Sequence, residues 1–388
     1  MTIFEKITAA MTDHATTIQP ALCTRCRTPK SDCALCADRC PAGAITLSGA
    51  GPEIGPDCLD CGVCYAVCPT GVFDRKQGGD EEIIAGMGRL AGKESCRISC
   101  RRGDGDADLL VPCLGRLTEV LLLHPLHLSP QIRLEIAQPT CEECPMAKSV
   151  SLFGDLLARV GHLYDLVGAD RKRLSVARIP LGPLRNGAAE GTGSRREFLG
   201  AVREKAAEVM TSALPPPSEN ESGAVAAGRE RSVNRKRAAL LDSLRALAEK
   251  PEGKLVSIPA SESVTATLAI NHRCTACGAC AAVCPVGALA QEKTATAITI
   301  FFQPALCANC GICARICRPG AIEKKEAVAP ITLLDLEGVE LFSATRQECR
   351  ICRLDFVGEG VDGICPLCMD RHRRQQNALK NLFETKEL

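Results

Sequence analysis

The chain has 388 residues, a net charge of +1 and 26 cysteines, but only nine Phe, two Tyr and no Trp. The near-neutral balance excludes a global pull toward nucleic acid or membrane, and the length predicts two or more domains. Aromatic residues supply much of a core's buried area, so their scarcity predicts that bound metal replaces part of that stabilisation.

The cysteine spacing excludes a secreted disulfide scaffold, because Cys-x2-Cys pairs followed by Cys-Pro are metal-ligand patterns. The opening MTIFEKITAAMTDHATT lacks the basic head and apolar core of a signal peptide. No apolar run reaches the ~18 residues of a membrane span. These features predict a reduced, soluble, cytoplasmic protein.

Residues 1–22 read as a short amphipathic helix, with Ile3, Phe4 and Ile7 near one face. From 23 to 90 the cysteines dominate. The run Cys58-x2-Cys61-x2-Cys64-x3-Cys68-Pro69-x-Gly71 is regular. Upstream, Cys33-x2-Cys36-x3-Cys40-Pro41-x-Gly43 lacks its first cysteine: Lys30 stands there, with Cys26 and Cys23 just before. Soft thiolates suit iron and sulfur. The short spacing lets one loop wrap three corners of a cube, Pro stiffens the exit and Gly permits a tight turn. The pattern resembles bacterial dicluster ferredoxins, in which three cysteines hold one [4Fe–4S] cluster and the fourth serves the other. The resemblance implies one cluster on Cys58, Cys61, Cys64 and Cys40. The other would take Cys33, Cys36, Cys68 and either Cys26 or Cys23, of which Cys26, the nearer, is preferred. The rival reading is a zinc site on Cys23, Cys26, Cys33 and Cys36.

Residues 75–90 read as a Gly- and charge-rich connection, and 91–180 as an α/β domain. Asp108–Val111 reads as a buried strand, Thr118–His124 as a helix, Ile132–Ala137 as the next strand and Ser151–Val167 as a helix. Cysteines stand at the carboxyl ends of these strands, where open α/β sheets place ligands. The turn Val111-Pro112-Cys113-Leu114-Gly115-Arg116, after Cys96 and Cys100 and before Cys141-x2-Cys144, resembles the iron–sulfur delta subunits of methanogen hydrogenases. That family couples hydrogenase to heterodisulfide reductase. The resemblance covers about residues 96–165. It implies a [2Fe–2S] cluster on Cys113, Cys141, Cys144 and either Cys96 or Cys100, with Cys96 placed first. A structural zinc or a redox-active thiol site are the alternatives.

Residues 181–250 read as linker and helices. Ser194 and Glu197 form a capping box, Pro215–Gly228 a flexible linker, and Arg229–Lys250 an amphipathic helix whose run Arg235-Lys236-Arg237 reads as a solvated face. From 251 to 330 the ferredoxin-like pattern returns in full: Cys274-x2-Cys277-x2-Cys280-x3-Cys284-Pro285, then Cys307-x2-Cys310-x2-Cys313-x3-Cys317. Crossed ligation would put one cluster on Cys274, Cys277, Cys280 and Cys317, and the other on Cys307, Cys310, Cys313 and Cys284. Residues 331–388 hold Cys349-x2-Cys352-x12-Cys365-x2-Cys368, a four-cysteine ribbon for zinc or a single iron, and then a basic helix over Asp370–Leu388.

The expected fold class is α+β multidomain: two ferredoxin-like dicluster units, a central α/β domain and a C-terminal zinc-ribbon-like knuckle. The expected cofactors are four [4Fe–4S] clusters, one [2Fe–2S] cluster and one zinc. No dinucleotide fingerprint or phosphate-cradling loop is present. The expected function is therefore electron transfer between redox partners of an anaerobic oxidoreductase complex, of hydrogenase or disulfide-reductase type, rather than independent catalysis. The alternatives are a redox enzyme or sensor built on the central cysteines, and a nucleic-acid-binding regulator built on the ribbon.

Overall fold

The computed structural model of the chain describes residues 15–76, 78–129, 131–184, 233–248, 257–357 and 362–384. Contacts divide the chain into one compact unit, 1–183 with 232–388, and a second, 184–231, of which only Leu184 is described. The capping box at Ser194 and the linker at 215–228 lie outside the described residues. Among the described residues no helix is long and apolar enough to cross a membrane.

The amphipathic helix expected over 1–22 does not extend into the described part. Thr16–Ile18 is a strand and Pro20–Leu22 a 3-10 turn. The β-branched run Thr16-Thr17-Ile18 favours the extended chain, and it pairs antiparallel with Phe73–Arg75. Between these strands lie the short helices Leu35–Asp38 and Val63–Val67 and the hairpin Ile45–Ser48 with Gly51–Ile54. The same plan recurs downstream. Leu268–Ile270 pairs with Ile322–Lys324, the helices are Ala279–Val283 and Ile312–Ile316, and the hairpin is Leu289–Lys293 with Ala297–Phe302. Here the hairpin gains a third strand, Val339–Thr345, from the segment read as the start of the ribbon module.

The central region holds a four-stranded parallel sheet in the order Leu109–Val111, Ser95–Cys100, Arg133–Pro139, Leu174–Ile179. The inner strand Ser95–Cys100 and the edge strand Leu174–Ile179 add to the two expected from the sequence. Helix Val150–Leu166 covers it, burying Phe153, Leu156, Val160, Leu163 and Tyr164 at helical spacing. The connection 75–90 contains a helix, Asp80–Met87, with three acidic residues in its first turn, where they favour the helix dipole.

Helix Arg235–Leu247 binds the regions together. Its Leu240, Leu241 and Leu244 enter the same buried core as Ile98, Leu121, Ile136 and Phe153, and Ala305 and Leu333 join that core from downstream. The expected modules 23–90, 91–180, 251–330 and 331–388 therefore fall inside one compact unit. The run Arg235-Lys236-Arg237 is not the solvated face expected of it, since only Arg235 is exposed. Arg235 pairs with Asp74 at 3.0 Å. Lys236 and Arg237 turn inward, onto backbone carbonyls of the upstream and downstream cysteine regions.

Candidate metal centres

In the downstream repeat each cysteine loop winds tightly around its own sulfurs. The backbone N–H of Ala276 is 3.4 Å from Cys274 Sγ and that of Asn309 is 3.4 Å from Cys307 Sγ. Ala288 N–H lies 3.2 Å from Cys284 Sγ and Ala321 N–H 3.2 Å from Cys317 Sγ. Such donors favour the ionised sulfur that binds metal. The two loops exchange cysteines. Cys317 and Cys277 are charge neighbours of Cys274, whereas Cys284 neighbours Cys307, Cys310 and Cys313. Burial, and then crowding by these sulfurs, pushes Cys280 up to about 11 and Cys310 and Cys313 up to about 12. Four thiols crowded away from water cannot all ionise without a cation among them. An iron–sulfur core supplies that cation, so the donor set fits the group.

The upstream repeat forms the corresponding sets with one difference. Cys40 is a charge neighbour of Cys58 and of Cys61, and Cys58 and Cys61 neighbour Cys64, which burial and crowding push up to about 12. In the second set, burial pushes Cys36 up to about 12, helped by Cys68, Cys33 and Cys23. Cys23, not Cys26, thus faces Cys36. Cys26 Sγ donates to the Ala50 carbonyl at 3.0 Å and touches Cys23 from the side. The loop between is pinned by Ser31 Oγ donating to Thr24 Oγ1 at 2.9 Å, which draws Cys33 back toward Cys23 across the gap left by Lys30. A signal for this stood in the sequence: Gln-Pro-Ala-Leu-Cys occurs at 19–23 and again at 303–307. Both copies make a 3-10 turn that ends on the cysteine, so Cys23 matches Cys307.

The central sheet brings Cys100, Cys113, Cys141 and Cys144 together. Cys113 and Cys144 are charge neighbours of Cys100, and all three neighbour Cys141, which burial and their charge push up to about 11. Cys96 does not join them. It is fully buried at the other end of its strand, beside Asp108 and Lys93. Cys96 and Cys100 are four residues apart and share a face of the strand, so alternation does not separate them. The carboxyl end of the strand does, being the end where the neighbouring strands also deliver their cysteines.

Arg116 locks this site to the upstream cysteine region. It is 1% exposed, donates to Asp80 Oδ1 at 2.8 Å and to the Gly78 carbonyl at 2.9 Å, and lies 4.5 Å above the Tyr65 ring. Asp80 also accepts from Thr118 Oγ1 at 2.8 Å and from the Tyr65 hydroxyl at 3.1 Å. Burial, then the Asp80 charge, pushes the Tyr65 phenol up, so it remains a donor. Gly62, at φ +73°, makes room: a Cβ there would stand 2.3 Å from Arg116 Cδ. One consequence is that Cys113 becomes a charge neighbour of Cys61, a cysteine of the upstream region.

In the C-terminal ribbon, the sulfurs of Cys349, Cys352, Cys365 and Cys368 all lie within 4.8 Å of one another. The first pair sits on the turn after Gln347–Glu348, which pairs with Asp355–Phe356. The second pair spans the start of helix Pro366–Glu384. Backbone donors from Cys352 and Cys365 draw the Cys349 thiol down to about 6, which readies a thiolate near neutral pH. The ring centroids of His124 and His127 lie 5.7 Å apart, and the exposed His127 meets Ser243 at 2.9 Å.

Residues 273–321 match the model of a family described as the 4Fe-4S dicluster domain. No curated protein and no solved structure matches the chain. The resemblance of residues 96–165 to hydrogenase delta subunits gains no support from these comparisons. The family match and the crossed cysteine sets support a ferredoxin-like iron–sulfur domain over 273–321, within an iron–sulfur electron-transfer protein.

Proposed function

We propose that the chain is a cytoplasmic electron-transfer subunit or carrier of an anaerobic oxidoreductase complex, of hydrogenase or disulfide-reductase type, working between redox protein partners. Clusters of this kind, when bound, take up and release single electrons at potentials tuned by charge, hydrogen bonding and exposure. Four [4Fe–4S] clusters would be held by Cys274/Cys277/Cys280/Cys317, Cys307/Cys310/Cys313/Cys284, Cys58/Cys61/Cys64/Cys40 and Cys23/Cys33/Cys36/Cys68. A [2Fe–2S] cluster would be held by Cys100, Cys113, Cys141 and Cys144, and a structural zinc by Cys349, Cys352, Cys365 and Cys368.

The observation that carries this reading is the Arg116 anchor that sets the central cysteines beside the upstream ones. Cys61 of the upstream region and Cys113 of the central sheet are charge neighbours, and Arg116, three residues after Cys113, is anchored on Asp80 and Tyr65. A sensor or an isolated structural metal needs no such adjacency; a conductor does. Anaerobically purified protein, assayed for iron, labile sulfide and zinc, is expected to hold about 18 iron and one zinc per chain. About 16 iron with two zinc would make the central site structural. About 12 iron or fewer in reconstituted protein would overturn the upstream assignment.

A further inference from the structure

Lys236 and Arg237 are consecutive residues on helix Arg235–Leu247. Consecutive helical positions point about 100° apart, and these two reach into different dicluster regions. Lys236 Nζ donates to the carbonyls of Tyr65 at 3.0 Å, Ala66 at 2.9 Å and Cys68 at 2.6 Å, which uses all three ammonium protons. Arg237 donates to the carbonyls of Ala305 at 2.8 Å, Val264 at 2.9 Å and Pro304 at 3.4 Å. Asn234 holds the pair in place, capping the helix by accepting from Arg237 N–H at 3.1 Å and donating to the Pro69 carbonyl at 3.1 Å.

Carbonyls could be satisfied by neutral donors, yet both residues are cations, and Arg237 is only 7% exposed. A buried cation is costly unless an anion faces it. The nearby carboxylates are already engaged: Glu119 pairs with Arg159 at 2.8 Å and Asp80 with Arg116 at 2.8 Å. Lys236 Nζ sits on the carbonyl of Cys68 itself, and Arg237 on those of Pro304 and Ala305, in the turn that ends on Cys307. Each cation therefore faces one thiolate set, and the two sets belong to different repeats. Arg315 and Asp32 also bridge the same two regions, at 2.5 Å.

We propose that Lys236 and Arg237 are positioning residues that join the two dicluster regions into one conductor. Lys236 raises the reduction potential of the cluster on Cys23/Cys33/Cys36/Cys68, and Arg237 raises that of the cluster on Cys307/Cys310/Cys313/Cys284. This rests on the proposed four-cluster reading. A fixed positive charge favours the extra electron of a reduced cluster, and one on each side keeps the facing potentials matched.

The test is a redox titration of the full-length, iron-loaded protein, followed by electron paramagnetic resonance, on Lys236→Gln and Arg237→Gln. Each amide removes the charge and keeps a neutral N–H donor for part of the carbonyl set. Lys236→Gln is expected to lower one reduction wave about tenfold in its equilibrium constant, which is 59 mV for one electron. Arg237→Gln is expected to lower a different wave, and Lys236→Arg to leave all waves in place. The proposal is overturned if no wave moves, if both Gln variants move the same wave, or if Lys236→Arg shifts potentials as Lys236→Gln does. Loss of iron from both Gln variants would also overturn it, making the residues purely structural. Parent protein that lacks the full iron complement would instead sink the four-cluster reading itself, so the two failures are told apart by the iron count.

Discussion

The upstream and downstream cysteine regions share one plan and differ in how they are supported. Downstream, each run carries its cysteines at full regularity, the hairpin gains a third strand from Val339–Thr345, and Ile300 and Phe302 are buried among Ala266, Leu268 and Leu289. Upstream, the first cysteine of one run is missing, the hairpin stands alone with two strands, and three of the nine buried core residues are themselves cysteines. What the upstream region lacks within itself it gains from its neighbours: Arg116 and Asp80 on one side, Lys236 and Asn234 on another. The same cysteine chemistry can thus be held by a self-sufficient sheet or by docking onto a larger core. A region of the second kind tolerates more irregular ligand spacing, because its loops are fixed from outside.

The largest effect should come from the irregular ligand. Cys23→Ser is expected to remove one cluster, about four iron per chain, with the loss confined to the upstream region. Cys26→Ser should leave iron and labile sulfide at the parent level, since its sulfur is turned to the Ala50 carbonyl. Iron analysis showing the reverse, with Cys26→Ser depleted and Cys23→Ser intact, would return the ligand to Cys26 and erase the analogy with Cys307.

Next comes the docking of the upstream region. Arg116→Ala leaves Asp80, itself 4% exposed, without its cation. Removing one partner of a buried pair costs about 3–5 kcal/mol. Chemical denaturation of iron-loaded protein, followed through cluster absorbance, should register that loss. A change under about 1 kcal/mol would mean that the upstream region stands without this anchor.

Much of this was readable in the sequence where covalent spacing decides geometry. A loop with cysteines three apart can close on one metal core, and a fourth cysteine four residues on hands its sulfur across. That is why the downstream sets and the ribbon emerge from spacing alone. Cys100 was less legible, because it and Cys96 share a strand face and only the direction of the sheet tells them apart. The basic run at 235–237 was illegible for a different reason. A charge run is ordinarily solvated, and the carbonyls that bury Lys236 lie about 170 residues earlier in the chain. No local pattern announces them. The buried side chain of Arg116 was equally hidden, since its ring partner Tyr65 comes from another cysteine run.

Two equivalent glycines then allow the regions to be compared atom for atom. Gly62 opens helix Val63–Val67 at φ +73° and Gly311 opens helix Ile312–Ile316 at φ +71°. Alanine at either site meets the left-handed strain of about 1–2 kcal/mol. At Gly311 a Cβ would meet nothing within 4 Å, whereas at Gly62 it would collide with Arg116. Overpacking of that sort adds about 1–3 kcal/mol. Gly62→Ala should therefore lose more stability than Gly311→Ala, and the gap should close when Gly62→Ala is combined with Arg116→Ala. Equal losses for the two single variants would remove Arg116 from the account.

The smallest effect belongs to the exposed bridge. Arg315 and Asp32 meet at 2.5 Å, but their side chains are 50% and 72% exposed. Water and salt screen such a pair, and holding two long side chains costs entropy, so exposed pairs contribute about 0–1 kcal/mol. Arg315→Ala is expected to change stability by less than about 1 kcal/mol, and raising the salt should shrink even that. The contacts of Lys236 and Arg237, which are more buried, should respond less to the same salt. A loss from Arg315→Ala as large as that from Arg116→Ala would shift the join between the two regions from the buried helix to the surface. The downstream region would then be holding the upstream one by its edge rather than through the shared core.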